Sequence, residues 1–120
     1  MAYVQGFVIP AAAGRKDDYR EMAEQAAEMF KGYGALRIVE CWGADVQPGE
    51  TTDFRRAVQA KDGEEIVFSF IVWPDKATCD AAAAKMEADQ SMTPPEDAPF
   101  SMDRMIFGGF EPLFDSDGAL

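Results

Sequence analysis

The chain is predicted to fold as an α+β domain with the element order β-α-β-β-α-β, and three observations carry that prediction. Four short runs are rich in β-branched and aromatic residues: 3–9, 35–42, 65–73 and 104–110. Two longer stretches, 16–31 and 76–88, carry apolar residues at helical spacing and fall between the first and second runs and between the third and fourth. The third run is apolar on both of its faces, so it sits inside a sheet that is covered twice.

The first strand, Tyr-Val-Gln-Gly-Phe-Val-Ile, ends at Pro10. Tyr3, Gln5, Phe7 and Ile9 face one way, and Val4, Gly6 and Val8 the other. The first helix is expected from Lys16 to Lys31. Asp17 and Asp18 stand in its first turn, where carboxylates oppose the helix dipole. Tyr19, Met22, Ala23, Ala26, Phe30 and Tyr33 form its apolar stripe, and Gly32 or Gly34 ends it in a left-handed cap.

The second strand, 35–42, lies between Gly34 and Gly43. Leu36, Ile38, Glu40 and Trp42 share one face; Ala35, Arg37, Val39 and Cys41 share the other. Residues 44–62 form an irregular insertion with a Gln47-Pro48-Gly49 turn, in which 52–60 is either a short helix or an added strand. After the Asp62-Gly63 turn comes the third strand, with Ile66, Phe68, Phe70 and Val72 on one face and Val67, Ser69, Ile71 and Trp73 on the other. Pro74 stops it, and Asp75 caps the second helix, whose inward stripe is Cys79, Ala82, Ala83 and Met86. A loop over 91–102 contains Pro94, Pro95 and Pro99; the last strand follows, and 111–120 is an acidic tail.

This order is the ferredoxin-like one: a four-stranded antiparallel sheet with right-handed crossovers that put both helices on one face. Two helices cover one face only. The other would expose Phe68, Phe70, Ile106 and Phe110, more apolar surface than a soluble monomer tolerates. The expected solution is a homodimer with the two sheets face to face, a dimeric α+β barrel.

Composition bounds the function. A chain of 120 residues fits a single domain spanning 1–120. The net charge of −11, from 22 acidic and 11 basic residues, excludes nucleic acid and anionic membrane surfaces as partners. No run approaches a bilayer span, and the first ten residues lack the basic start of a signal peptide. Two cysteines in different elements fit a reduced, cytoplasmic location. The absence of histidine removes Ser-His-Asp and Cys-His nucleophiles and histidine-bound metal or haem, and the carboxylates show no metal-loop spacing. No metal and no cofactor are expected.

The candidate pocket or buried polar residues are Arg37, Glu40, Cys41, Trp42, Asp53, Arg55 and Trp73. Glu40 on a central strand either pairs with Arg37, Arg55 or Arg104, or takes a raised pKa suited to acid–base work. Arg37 and Glu40 point to opposite faces, which argues against a couple between them within one strand. Cys41 reads as a buried, inert thiol more readily than a reactive one. Trp42 and Trp73 either line an apolar pocket or fill the core. Asp53 and Arg55 either close over a ligand or latch two subunits.

The segments at 2–8, 34–43, 52–58, 67–74 and 104–112 together resemble the YbaA-like family of small bacterial proteins of unknown function (DUF1428). The resemblance runs from Met1 to about Leu113. It implies a dimeric α+β barrel and supplies no catalytic residues. A capping Asn or Asp expected near Arg15 is missing, which implies a less clean start to the first helix. Three readings of function follow: a homodimer that binds a small molecule between sheet and helices; a cofactor-independent monooxygenase or isomerase, by fold analogy; and a non-catalytic structural or regulatory dimer.

Overall fold

The computed structural model describes residues 2–89 and 97–120. It is an α+β structure with strands β1 (Tyr3–Ala12), β2 (Arg37–Trp42), β3 (Glu64–Trp73) and β4 (Ile106–Phe110), and helices α1 (Lys16–Gly32), α2 (Phe54–Ala57) and α3 (Lys76–Ala88). The four strands form one antiparallel sheet in the order β2-β3-β1-β4. Part of the loop expected over 91–102, namely 91–96, lies outside the described residues.

β1 runs through Pro10 to Ala12, past the expected stop. A proline is tolerated there because its carbonyl still accepts from the Ser101 amide at 3.0 Å, while the Ala12 amide donates to the Pro99 carbonyl at 2.9 Å. α1 has no side-chain cap at Arg15 and is led in by a single 3-10 turn, Ala13–Arg15. At its far end Gly34 takes φ 108°, and the Gly34 and Ala35 amides donate to the carbonyls of Lys31 and Phe30. That left-handed cap turns the chain into β2 two residues later than the apolar pattern suggested.

In the 44–62 insertion, the helix reading of 52–60 holds over four residues. Asp53 caps α2 by accepting from the Arg56 amide at 2.8 Å. The cap of α3 is Asp75, which accepts from the Thr78 amide at 2.7 Å. β4 starts at Ile106, because Arg104 turns away to hold Glu64 with a bidentate pair, 2.7 and 2.6 Å.

The register fixes two faces. Tyr3, Gln5, Phe7 and Ile9 pair with Trp73, Ile71, Ser69 and Val67, and these with Ile38, Glu40 and Trp42 of β2. This face carries the core. One cluster joins Ile9, Ala11 and Val67 to Tyr19 and Ala23 of α1; the other joins Ile71 and Trp73 to Ala35 and to Cys79 and Ala82 of α3. Trp73 is fully buried and packs edge-on against Phe30, with ring centroids 6.5 Å apart. Its indole N–H donates to Gln5 Oε1 at 2.8 Å, so the polar tip is satisfied inside the core. Truncating such a ring typically costs about 3–5 kcal/mol.

Neither α1 nor α3 lies over the opposite face, which the short α2 meets only at its first residue, Phe54. Phe54, Phe68 and Phe70 form an aromatic row there, with centroids 6.4 Å apart at each step. Phe68 is 46% exposed, Ile106 45% and Phe110 60%. The ring of Phe110 lies across two glycines: a Cβ on Gly6 or Gly108 would meet it at 3.4 or 3.5 Å. Among the described residues no helix is long and apolar enough to cross a membrane.

Candidate functional site

A cleft of ≈ 290 Å³ opens between α1 and the β2 edge of the sheet. Its floor is Ile38, Glu40 and Val67, its helix wall includes Tyr19 and Ala23, and Trp42 closes one end. The pleat puts Glu40 here: on β2 it lies opposite Ser69 of β3, on the face that α1 covers. The buried Tyr19, in the first turns of α1, reaches down and donates its hydroxyl to Glu40 Oε1 at 2.7 Å. The Ser69 hydroxyl also donates to this carboxylate.

Electrostatics at this spot oppose one another. Burial of the carboxyl between helix and sheet raises the Glu40 pKa, and the hydrogen bonds from Tyr19 and Ser69 pull it back part of the way. Glu40 as a residue is nonetheless exposed and lines the cleft. For Tyr19, burial first, and then the neighbouring Glu40 charge and the hydrogen bond to it, push the phenol far above its ordinary value. Tyr19 is therefore a fixed hydrogen-bond donor, and Glu40 is a carboxylate that burial makes easier to protonate than an ordinary one.

Trp42 gives the cleft a flat wall. Its ring lies 6.0 Å from that of Tyr19, and the Lys16 ammonium stands over it at 6.0 Å from the centroid. Arg20 and Glu24 stand at the rim. The site thus combines an apolar floor, an aromatic wall, a carboxylate held by two hydroxyls and a basic edge. Among the described residues, no three His, Cys, Asp or Glu side chains converge as a metal site.

Glu40 and Trp42 are the sequence candidates that come together here, with Cys41 at the margin. Several expectations need correcting. Within the chain Glu40 forms no ion pair with Arg37, Arg55 or Arg104: Arg104 is held by Glu64, and Arg55 donates to the Glu64 and Lys61 carbonyls at 2.8 and 3.0 Å. Cys41 is exposed because it lies on the outer edge strand on the uncovered face, while Cys79 is the buried thiol. Trp73 lies in the core under α3, so Trp42 alone of the two tryptophans lines the cleft. Asp53 accepts from the amides of Gly49 and Arg56 and pairs with Arg56 at 3.2 Å; it organises its own loop. Arg37 faces the uncovered side.

Tyr19, Ser69, Lys16 and Arg20 were absent from the sequence candidates. One signal pointed to Tyr19 and Ser69. Ser69 and Glu40 are the polar members of otherwise apolar inner faces on two strands, and Tyr19 is the hydroxyl-bearing residue in the first turns of the helix laid over them.

Comparison with known proteins gives a consistent outcome. The family model described as "Protein of unknown function (DUF1428)" matches residues 2–102. The uncharacterized protein YbaA of Escherichia coli K12 is 54% identical over 116 residues, covering 96% of this chain and 99% of YbaA. YbaA of Shigella flexneri matches with the same identity and coverage. A solved structure, the de novo designed protein Foldit4, is similar with a TM-score of 0.48 and 12% identity, over 93% of this chain and 99% of that one. The chain belongs to the DUF1428 family, a family of unknown function.

Proposed function

We propose that this protein is a single-domain cytoplasmic homodimer of the dimeric α+β barrel type, and that each subunit binds a small organic molecule in the cleft between α1 and β2. The sheet order β2-β3-β1-β4, with α1 and α3 on one face, supports a ferredoxin-like reading. The aromatic row and Phe110 on the other face support a partner sheet there. The observation that carries ligand binding is the Tyr19–Glu40–Ser69 cluster at the floor of a cleft walled by Trp42. A few convergent polar groups in an apolar recess are the usual make-up of a small-molecule site.

The test is a thermal-shift screen of small organic compounds against the wild type, Trp42→Ala and Glu40→Gln. Compounds that bind in the cleft stabilise the wild type and lose most of that effect in Trp42→Ala. Stabilisation that persists in both variants would place binding elsewhere. If no compound stabilises the wild type, the non-catalytic structural dimer is the better description.

A second reading, cofactor-independent acid–base chemistry of the monooxygenase or isomerase kind, draws on the same 2.7 Å contact. Glu40 is then the base and Tyr19 the donor that holds it in place. Under that reading Glu40→Gln abolishes turnover of a cleft ligand and leaves its binding intact.

A further inference from the structure

The cleft between α1 and β2 is polarised along its length. α1 runs back against β2, so Lys16 in its first turn stands at the Trp42 end, and Tyr19, one turn on, stands at Glu40. Ala23 and Ala27 carry the same wall on toward Ile38, and their small side chains leave room that larger ones would fill. The Lys16 ammonium makes no ion pair or hydrogen bond among the described residues and rests over the Trp42 ring, 6.0 Å from its centroid. Arg20, also at the rim, reaches the exposed Asp17 by a long 3.4 Å contact. The rim acid, Glu24, stands two turns beyond Lys16, about 12 Å along the helix. In the floor, Glu40 accepts from Tyr19 and Ser69. An ionised carboxylate offers about four lone-pair sites and no donor, so its unused sites call for an N–H or O–H from a ligand.

We propose that the ligand of this cleft is a small planar aromatic acid with an O–H or N–H donor at the far end of its ring. Its carboxylate lies against Lys16 and Arg20, its ring on the apolar stretch beside Trp42, and its donor on Glu40. This assignment rests on the reading of the cleft as a small-molecule site and names the class of molecule. Three observations select the class. The uncommitted ammonium of Lys16 calls for an anion at the Trp42 end, and a cationic ligand suited to Glu40 would meet Lys16 and Arg20 on the way in. The flat wall of Trp42 favours a ring over an aliphatic chain. Glu40 and Trp42 are two residues apart on one face of β2, about 7 Å, which matches the span across a para-substituted benzene ring. The cleft volume of ≈ 290 Å³ lies at the small end of ligand sites and suits a one-ring molecule.

The test is calorimetric titration of the full chain with para-hydroxybenzoate, benzoate, para-cresol and ortho-hydroxybenzoate, using the wild type, Lys16→Met and Trp42→Ala. The wild type is expected to bind para-hydroxybenzoate about tenfold or more tighter than benzoate, which lacks the donor, and than para-cresol, which lacks the charge. Ortho-hydroxybenzoate, whose hydroxyl is turned toward its own acid, is expected to gain nothing over benzoate. Lys16 is exposed, so Lys16→Met keeps the fold. It is expected to remove most of the advantage of para-hydroxybenzoate over para-cresol and to leave para-cresol binding unchanged, whereas Trp42→Ala weakens both. Benzoate or para-cresol binding as tightly as para-hydroxybenzoate, or an advantage of the acid that survives Lys16→Met, overturns the aromatic acid and leaves the cleft standing as a site. Failure of all four probes, where the thermal-shift screen finds other compounds that depend on Trp42, does the same. Failure of all four together with an empty screen removes the cleft reading as well.

Discussion

The Tyr19 hydroxyl is 2.7 Å from Glu40 Oε1, joining the start of α1 to the middle of an edge strand across 21 residues of sequence. The phenol is held protonated by burial and by the carboxylate beside it, so the proton stays on the tyrosine and stabilises the ionised form of Glu40. Tyr19→Phe removes a force that lowers the Glu40 pKa and leaves burial, which raises it. Glu40 is therefore expected to titrate at higher pH in Tyr19→Phe than in the wild type, read from its carboxyl carbon by NMR. An unchanged or lower value would contradict this arrangement.

The same balance predicts the pH dependence of stability. The folded-state pKa of Glu40 lies above its ordinary 4.5. The folded protein thus holds this proton more tightly than the unfolded chain does. Stability falls as pH rises from 4.5 through the folded value and stays lower beyond it. Glu40→Gln keeps an acceptor for Tyr19 and removes the charge. It should melt above the wild type at neutral pH, with the gap closing as the pH is lowered toward 4.5. A variant that melts lower at neutral pH would show that the charge stabilises the fold.

Glu64 works in the opposite sense. Its bidentate contact with Arg104, together with the Lys61 amide, holds its pKa at about 2. A depressed carboxylate stabilises the fold above its unfolded pKa, and that contribution disappears as pH falls from 4.5 toward 2. Glu64→Gln should melt a few degrees below the wild type at neutral pH and converge on it in acid. Equal melting at neutral pH would mean that the clamp between β3 and the approach to β4 contributes nothing.

Gly109 is expected to tolerate no side chain. A Cβ there would fall 1.6 Å from the Tyr3 hydroxyl oxygen and 2.4 Å from the ring carbon bearing it. Tyr3 would have to leave its place beside the core cluster around Trp73. Gly109→Ala should lower unfolding free energy by about 1–3 kcal/mol in denaturant titrations. Full stability would show that Tyr3 is free to swing aside.

The elements were legible where the pattern is strong and local. β3 and α3 were placed to within a residue, because Pro74 and Asp75 punctuate the junction between them. The starts of β2 and β4 were placed two residues early, since the Gly34 cap and the turn of Arg104 toward Glu64 depend on contacts made elsewhere. At the site, strand parity correctly separated Arg37 from Glu40 and placed Trp42 with Glu40. The partner of Glu40 escaped, because Tyr19 reads as one more apolar stripe residue until the helix is laid on the sheet. Arginines were sought as its counter-charge; two hydroxyls do that work from positions that sequence spacing does not connect.

The measurement that bears most directly on the account is the mass of the folded protein in solution, by light scattering or sedimentation equilibrium at low micromolar concentration. Two sheets packed over Phe68, Phe110 and their neighbours predict twice the chain mass of 13.2 kDa. A folded, stable species at 13.2 kDa would contradict it.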